Sequence, residues 1–219
     1  MAMNENTYLV ATIKPWNVNA FGRYASSLSG QWHLMEKREE LTAERLNEIS
    51  PRYVFLPHWS WKVPDEIVET YECICFHMTD LPYGRGGSPL QNLIIRGYKE
   101  SQVYALRMSD EIDAGPIYMK RPLALRGSAQ EIFEVFSNLA WDMIREIVET
   151  EPSPVPQQGA PVTFARRKPE ESLLPSQGNL ELLHDHIRML DAETYPPAFW
   201  ITANIVLNSP VPSLTGKTP

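Results

Sequence analysis

The chain has 219 residues, of which 43% are apolar and 21% charged, and its formal net charge is −7 at pH 7. These values are typical of a soluble globular protein with one substantial hydrophobic core. The acidic balance argues against a nucleic-acid partner, because binding to phosphates needs clustered cations. The single basic patch, Arg166 to Lys168, is interpreted as a solvated surface.

No run of 18 or more apolar residues is present, and the N-terminus has no basic region that leads into an apolar one. The sequence therefore predicts neither a membrane-spanning protein nor a secreted one. The two cysteines, Cys73 and Cys75, lie in one predicted strand and are not expected to bridge each other. We expect a cytoplasmic protein with reduced cysteines.

The first half of the chain alternates strand-like apolar runs with helical segments. Three strands are predicted there: Tyr8 to Ile13, Tyr53 to Leu56 and Ile74 to Phe76. Four helices are predicted: Ala20 to Leu28, Thr42 to Ile49 with Thr42 as its cap, Pro64 to Thr70, and Leu90 to Arg96. Such alternation predicts an α/β, Rossmann-like fold, in which helices cover both faces of a mostly parallel, twisted sheet.

The second half adds two strands, a long helix and a proline-rich connection. The strands, Val103 to Met108 and Ile117 to Leu123, flank an acidic loop, and Ser128 caps a helix that runs to about Thr150. Prolines between residues 152 and 156 indicate a linker, which a helix (179–190) and an apolar run (199–207) follow. We predict a main domain over residues 1–150, a linker over 151–175 and a small C-terminal helix–strand extension over 176–219.

His77 stands at the end of a predicted strand, directly before a turn rich in proline and glycine. The carboxyl ends of strands are where α/β sheets place ligands, and histidine suits proton transfer near neutral pH. Glycines such as Gly86 and Gly87 let a substrate approach main-chain N–H groups, although positive φ alone could require them. Asp113, in the acidic loop, could orient the imidazole or only stabilise a turn. We favour chemistry over a purely structural role.

Together these segments resemble the formyltransferases that use 10-formyltetrahydrofolate, and among them most the sugar N-formyltransferases. Their signature joins a histidine and a proline-rich stretch to an Arg-Gly pair, with an Asp-x-Gly triplet farther on. The matching residues here are His77, Thr79, Leu81, Pro82, Arg85, Gly86, Gly87, Pro89, Asp113 and Gly115. Residues 164–170 and 195–199 look like the segment that follows the catalytic domain in many members.

The resemblance implies that residues 1–150 are a catalytic domain that moves a formyl group from 10-formyltetrahydrofolate to a primary amine, without a metal. The implied acceptor is a small metabolite, above all an amino sugar that is nucleotide-linked or a nonulosonic-acid precursor for surface glycans. His77 and Asp113 are the implied catalytic residues. The implied folate-binding residues are Trp59, Trp61, Lys62, Val63, Met108, Asp110 and Ile112. The implied acceptor-binding residues are His58, Met78, Thr79, Arg85, Gly86 and Gly87.

The chain departs from this signature at Cys75, where the family has an asparagine two residues before the histidine. A thiol is a weak hydrogen-bond donor, so His58, Trp59 or Trp61 could supply the donor instead. One donor of this kind stabilises a developing oxyanion by roughly 3–4 kcal/mol.

Three alternatives stay open: a formyltetrahydrofolate hydrolase, a catalytically weakened folate- or sugar-binding protein, and a metal-dependent hydrolase built on His58, His77 and Asp113. The apolar run 199–207 could pair across a homodimer.

Overall fold

The computed structural model of the chain describes residues 6–202 and 205–208. The strands are β1 (Thr7–Ala11), β2 (Gln31–Met35), β3 (Tyr53–Leu56), β4 (Cys73–His77), β5 (Tyr83–Gly86), β6 (Glu100–Arg107), β7 (Ile117–Ala124), β8 (Val162–Phe164), β9 (Phe199–Thr202) and β10 (Ile205–Asn208). The α-helices are α1 (Pro15–Tyr24), α2 (Ala43–Ile49), α3 (Asp65–Thr70), α4 (Pro89–Ile95), α5 (Ala129–Thr150) and α6 (Leu180–Arg188).

Six strands form the central sheet, in the order β2-β1-β3-β4-β6-β7. The first four strands of this order pair in parallel, whereas β6 runs antiparallel to both β4 and β7. Outside this sheet, β5 pairs in parallel with β8, and β9 pairs antiparallel with β10. The predicted α/β class with a mostly parallel sheet is confirmed.

Helices cover both faces of the sheet, as the alternation of side chains along β1 shows. Val10 packs into one core with Phe136 of α5, and its neighbour Leu9 packs into a second core with Leu46 of α2. Successive residues of a strand point to opposite faces, so one strand contributes to both cores. All four side chains are at most 1% exposed. The sheet is therefore a buried middle layer.

The caps of two predicted helices are confirmed. The Thr42 hydroxyl accepts a hydrogen bond from the Arg45 amide at 3.2 Å. Ser128 and Glu131 form a reciprocal capping box at the start of α5. Although α5 spans 22 residues, no helix in the described part of the chain is long and apolar enough to cross a membrane.

Two expectations for the N-terminal third are wrong. No strand is predicted over Gln31–Met35, yet the structure forms β2 there. This edge strand carries polar residues and is only partly buried, so it lacks the apolar pattern that marks a strand. The first helix begins at Pro15 rather than at Ala20, because the fixed φ of proline suits the first turn of a helix.

The C-terminal part contains more regular structure than a linker and a helix. Residues 151–175 include β8, and Phe164 of β8 shares a core with Met189 and Leu190, which follow α6. The apolar run 199–207 contains β9 and the beginning of β10. Residues 203–204 and the end of the predicted extension, 209–219, lie outside the described residues. The division of the chain at residues 150 and 175 stays a prediction.

Candidate active site

A cavity of about 1250 Å³ opens where β1, β3 and β4 end. Its volume exceeds the 300–1,000 Å³ that is common for single small-molecule sites, so it can hold two reactants. Every residue predicted for the site lines this cavity except Thr79. Thr79 is fully buried, and its hydroxyl donates to the Gly84 carbonyl at 3.2 Å. Thr79 therefore supports the glycine-rich turn from behind the cavity wall, and its contact with the acceptor stays a prediction.

His77 and Asp113 meet at the cavity wall. Nε2 of His77 lies 2.8 Å from the Gly84 carbonyl oxygen, and Nδ1 lies 3.4 Å from Oδ2 of Asp113. The exposed fractions of the two side chains are only 6% and 16%. The separation of Nδ1 and Oδ2 is longer than a direct N–H···O hydrogen bond, but such contacts often tighten when a substrate binds.

The contact with Gly84 fixes one hydrogen of the His77 ring. A carbonyl oxygen only accepts hydrogen bonds, so Nε2 of His77 carries a hydrogen. An unprotonated Nδ1 and a carboxylate would then face each other as two acceptors. A proton bound between Nδ1 and Oδ2 would remove this conflict. The geometry therefore places a group that can exchange a proton beside the cavity.

The glycine-rich turn is built for close backbone contact. Gly86 has φ +100°, and a Cβ there would lie 2.5 Å from the Phe164 carbonyl oxygen of β8. The Gly86 amide donates to Oδ2 of Asp113 at 2.8 Å, and the Gly87 amide donates to Phe164 at 3.0 Å. Both amides thus have protein acceptors. The glycines dock β8 and hold Asp113, and their place in the lining leaves the contact with the acceptor a prediction.

Gln157 connects the glycine-rich turn to the loop that carries Asp113. Its side-chain nitrogen donates to the main-chain carbonyls of Asp113 at 2.7 Å and Gly115 at 2.9 Å. Its side-chain oxygen accepts from the Arg85 guanidinium, at 2.8 Å from Nη2 and 3.2 Å from Nε. Arg85 therefore lines the cavity with its guanidinium bound to Gln157. Gln157 lies in the proline-rich stretch, and no sequence pattern marks it as part of the site.

His58 is a neutral ring in an aromatic setting. Its ring centroid lies 4.7 Å from that of Phe133 and 5.3 Å from that of Trp16. Burial, together with the charges of Lys14 and Arg166, lowers the pKa of His58 to about 3. Nε2 shares a hydrogen bond of 3.2 Å with the Tyr195 hydroxyl.

Two of the three suggested substitutes for the family's asparagine have a free ring nitrogen. His58 Nδ1 and Trp59 Nε1 are buried and have no hydrogen-bond partner in the described ranges, and both residues line the cavity. The ring nitrogen of Trp16, in the neighbouring core, is also buried without a hydrogen-bond partner among the described residues, although Trp16 does not line the cavity. An unpartnered ring nitrogen therefore does not by itself identify the donor.

Cys75 contributes a neutral thiol to the same wall. Burial and the nearby Asp113 carboxylate raise its pKa well above the usual range for cysteine. A thiolate is the reactive form of cysteine, so Cys75 is a poor nucleophile here. Both cysteines are free.

The residues predicted to border the folate fall into two stretches of the lining. In the first, the rings of Trp59 and Trp61 meet edge to face with centroids 5.2 Å apart, and Val63 is buried beside them. Lys62 also lines the cavity, but its ammonium group is paired with Asp65 at 2.7 Å. The second stretch is Met108–Asp113, in which Asp110 and Ile112 are exposed. Met78 is buried in the wall next to His77.

Backbone conformations of high energy concentrate at this cavity. Six described residues other than glycine have positive φ: Ser50, His58, Ser88, Asp113, Glu151 and Thr194. Ser50 and Glu151 end helices, whereas the other four line the cavity. Such conformations cost about 1–3 kcal/mol each and persist where the surrounding structure enforces them, which is common at functional sites.

Cations outside the predicted site also line the cavity: Lys14, Arg107 and the basic patch Arg166 to Lys168. Lys14 follows β1, and the basic patch follows β8, so the interpretation of that patch as only a solvated surface is wrong. The position of Lys14 after the first strand and before a helix is a signal that would have found it. The metal-dependent alternative gains no support, since no three His, Cys, Asp or Glu side chains within residues 6–202 and 205–208 could jointly hold a metal ion.

Comparisons with known proteins identify formyltransferases as relatives of this chain. A family profile described as the methionyl-tRNA formyltransferase C-terminal domain matches residues 169–216. The structure of methionyl-tRNA formyltransferase from Clostridium thermocellum is similar with a TM-score of 0.90 and 42% identity, over 93% of this chain and 91% of that one. A 4-N formyltransferase from Francisella tularensis shares the fold, with a TM-score of 0.74, 12% identity and coverage of 95% and 99%.

A curated relative, methionyl-tRNA formyltransferase from Rickettsia felis, is 30% identical over 140 residues. That match covers 61% of this chain and 46% of the relative, so the chain spans about half the length of the curated relatives it matches.

Proposed function

The chain belongs to the family of formyltransferases that use 10-formyltetrahydrofolate, and we propose that it transfers the formyl group to the primary amine of a small metabolite. The proposed acceptor is an amino sugar. The observation that carries the proposal is the His77–Asp113 pair, whose Nδ1 and Oδ2 atoms lie 3.4 Å apart at the wall of a cavity large enough for two reactants.

The reaction needs one proton to move between two nitrogens. The acceptor nitrogen forms a bond to the formyl carbon, the bond from that carbon to the folate nitrogen breaks, and the folate nitrogen gains a proton. Negative charge develops on the formyl oxygen in between. A group that accepts a proton and a group that supplies positive charge therefore suffice, and a covalent enzyme intermediate is not required.

Asp113 accepts the proton of the attacking amine in this proposal. Its Oδ2 is engaged by the Gly86 amide and faces His77, whereas Oδ1 has no hydrogen-bond partner among the described residues. His77, held by Gly84 and Asp113, supplies the positive charge near the formyl oxygen and returns the proton. Gln157 keeps the Asp113 loop in place through its two main-chain hydrogen bonds.

The aromatic stretch of the lining fits a flat ring system. Trp59 and Trp61 present ring surfaces beside the buried Val63, and Met108 adds a flexible apolar side chain. We place the pterin ring of the folate there. The placement is independent of the acceptor, which contacts other parts of the wall.

Methionyl-tRNA is the second candidate acceptor. Its support is the relative at 42% identity and the C-terminal profile match, both of which carry that name. The net charge of −7 favours the small metabolite, because a protein that binds RNA needs clustered cations.

We also propose a cytoplasmic location. A homodimer formed through residues 199–207 stays a prediction.

A single assay separates the candidates. The protein is incubated with 10-formyltetrahydrofolate and, in separate arms, with free amino sugars, nucleotide-linked amino sugars, methionyl-tRNA or no acceptor. Release of tetrahydrofolate is followed together with release of formate. Acceptor-dependent release with an amino sugar is expected.

The other outcomes decide against the proposal. Release only with methionyl-tRNA assigns the nucleic-acid acceptor, and formate release without any acceptor assigns a hydrolase. Folate binding without turnover in any arm identifies a binding protein. Any of these results contradicts the amino-sugar proposal.

A further inference from the structure

Lys14 is a buried cation without an anionic partner. The residue is only 9% exposed, and no carboxylate in the described part of the chain forms an ion pair with it. The ammonium group has three N–H donors, of which one donates to the Thr194 hydroxyl at 2.6 Å. A buried charge is normally paired, because removing it from water is costly. Lys14 lines the cavity, so a bound ligand can provide the missing partner.

Aromatic rings provide part of the stabilisation of this cation. Its Nζ lies 4.6 Å from the centroid of the Tyr195 ring and 5.6 Å from that of Trp16. Cation–π contacts compensate only a fraction of the cost of burying an ammonium group. They also hold the side chain in one position, which prepares it for a ligand. The competing explanation is that Lys14 only packs against these rings and binds no anion, and the titration with pyrophosphate distinguishes the two.

A second cation lies beside the first. Arg166 lines the cavity and is close enough to lower the pKa of both Lys14 and His58. Its guanidinium forms no ion pair within the described residues, and its one hydrogen bond goes to the Ser60 carbonyl at 3.4 Å. Two unpaired cations that repel each other are expected to share an anion when a ligand is present.

We infer that Lys14 and Arg166 form an anion-binding subsite for a phosphate group carried by the amine acceptor. The inference rests on the proposed function, since it assigns a chemical class to the acceptor of that reaction. An ammonium group and a guanidinium fork together offer several donors, which matches an anion with several oxygens. The Thr194 hydroxyl stands next to the ammonium group and adds a further polar contact.

The carboxylates of the folate are the other possible source of the anion. The stretches assigned to the folate carry Asp110 and Glu111, which repel carboxylates, and their one lysine, Lys62, is already paired with Asp65. Lys14 and Arg166 come from other segments of the chain. The subsite is therefore assigned to the acceptor. A folate-tail site predicts that tetrahydrofolate and a free anion exclude each other, whereas an acceptor site predicts that both bind together.

The test is a calorimetric titration of the full chain with inorganic pyrophosphate, with and without saturating tetrahydrofolate. Pyrophosphate is expected to bind in both conditions. Lys14→Met and Arg166→Gln should each weaken the affinity about tenfold or more, because each removes a charge-assisted contact. Lys14→Arg keeps the charge and should retain most of the affinity. Arg145→Gln removes an exposed cation on α5, away from the cavity, and should leave it unchanged.

Several outcomes overturn the inference. Absence of pyrophosphate binding, or equal affinity in Lys14→Met, Arg166→Gln and the wild-type protein, shows that Lys14 is structural. Exclusion of pyrophosphate by tetrahydrofolate moves the subsite to the folate. Tighter binding of a tRNA acceptor-stem hairpin that also depends on Lys14 assigns the subsite to nucleic acid.

The variants are checked for folding by thermal unfolding, and Arg166→Gln alters an exposed side chain whose loss does not disturb the core. The titration uses no turnover, so failure of the formyl-transfer assay and failure of the subsite are separate results. Pyrophosphate binding by a protein that transfers no formyl group keeps the subsite and overturns only the reaction.

Discussion

Two parts of the same cavity wall carry opposite charge and differ in how their charges are neutralised. The acidic wall is the loop 110–113, in which Asp113 is fixed by the Gly86 amide and faces the His77 ring. The basic wall includes Lys14 and Arg166, for which the described part of the chain provides no carboxylate. The carboxylate of the acidic wall is held by protein groups, whereas neither Lys14 nor Arg166 of the basic wall has a carboxylate partner among the described residues.

This difference separates chemistry from recognition. A proton-transfer pair must be held in position before the substrate arrives, and the contacts of Asp113 do this. A binding group is more selective when a charge stays unpaired until the correct ligand supplies the partner. We therefore expect changes in the acidic wall to lower kcat and changes in the basic wall to raise KM for the acceptor.

The largest effect is expected from Asp113→Asn. An amide cannot accept the proton of the amine or balance His77, so kcat should fall by about 10²–10⁴-fold, the usual contribution of a positioned general base. Steady-state kinetics with 10-formyltetrahydrofolate and the active acceptor provide the measurement. Asp142→Asn, an exposed change on α5, is the matched control. A kcat within threefold of wild type would exclude Asp113 as the proton acceptor.

A smaller loss is expected from Gln157→Leu. The change removes the hydrogen bonds that tie Arg85 to the Asp113 loop. Misplacement of a catalytic group by about 1 Å can lower the rate about 100-fold, so we expect a loss of about 10–100-fold. The pH profile of kcat should shift as well, since the environment of the His77–Asp113 pair changes, and a residue needed only for folding would not move it. Gln158→Leu, the exposed neighbour, should show neither effect.

The neutral His58 makes stability depend on pH. Its pKa is about 3 in the folded protein and 6.5 in the unfolded chain, so below pH 6.5 the unfolded state takes up a proton that the folded state does not. Stability therefore falls as the pH falls towards 3, by about 1 kcal/mol between pH 6.5 and 5.5. His58→Asn, which tolerates the positive φ, should remove this part of the slope in urea unfolding. His184→Asn should keep it.

The smallest effect is expected from Cys75→Ala. A neutral thiol is a weak donor and a poor nucleophile, so kcat should stay within about threefold, a change of less than about 0.7 kcal/mol. Single-turnover formyl transfer measures the step directly. A loss of a hundredfold or more would show that the thiol replaces the family's asparagine after all. The same assay on His58→Ala tests the other substitute, and an unchanged rate removes that candidate.

The strands and helices with clear apolar periodicity were predictable from the sequence. Strand β3 agrees with its predicted bounds, and α5 begins at the predicted cap, because a buried run and a capping box are local signals. Strand β2 was missed because it lies at the sheet edge and is only partly buried. Its pairing with β1 depends on contacts that are distant in sequence.

The site was predictable where a strand end marks it. His77 follows a buried strand, so its place at the cavity could be foreseen. Lys14, Gln157 and Arg166 could not be assigned in this way, because their roles come from neighbours far along the chain. The distance between Gln157 and Arg85 in sequence is 72 residues. The glycines were identified correctly as special, but the reason for them, the approach of β8, required the fold.

The most direct test of the central claim is single-turnover formyl transfer with the active acceptor, compared between the wild-type protein and His77→Asn. Asparagine keeps a hydrogen-bond donor towards Gly84 but cannot exchange a proton in the same way. We predict acceptor-dependent transfer by the wild-type protein and a transfer rate at least about a hundredfold lower in the variant. Transfer at the wild-type rate by His77→Asn would contradict this prediction.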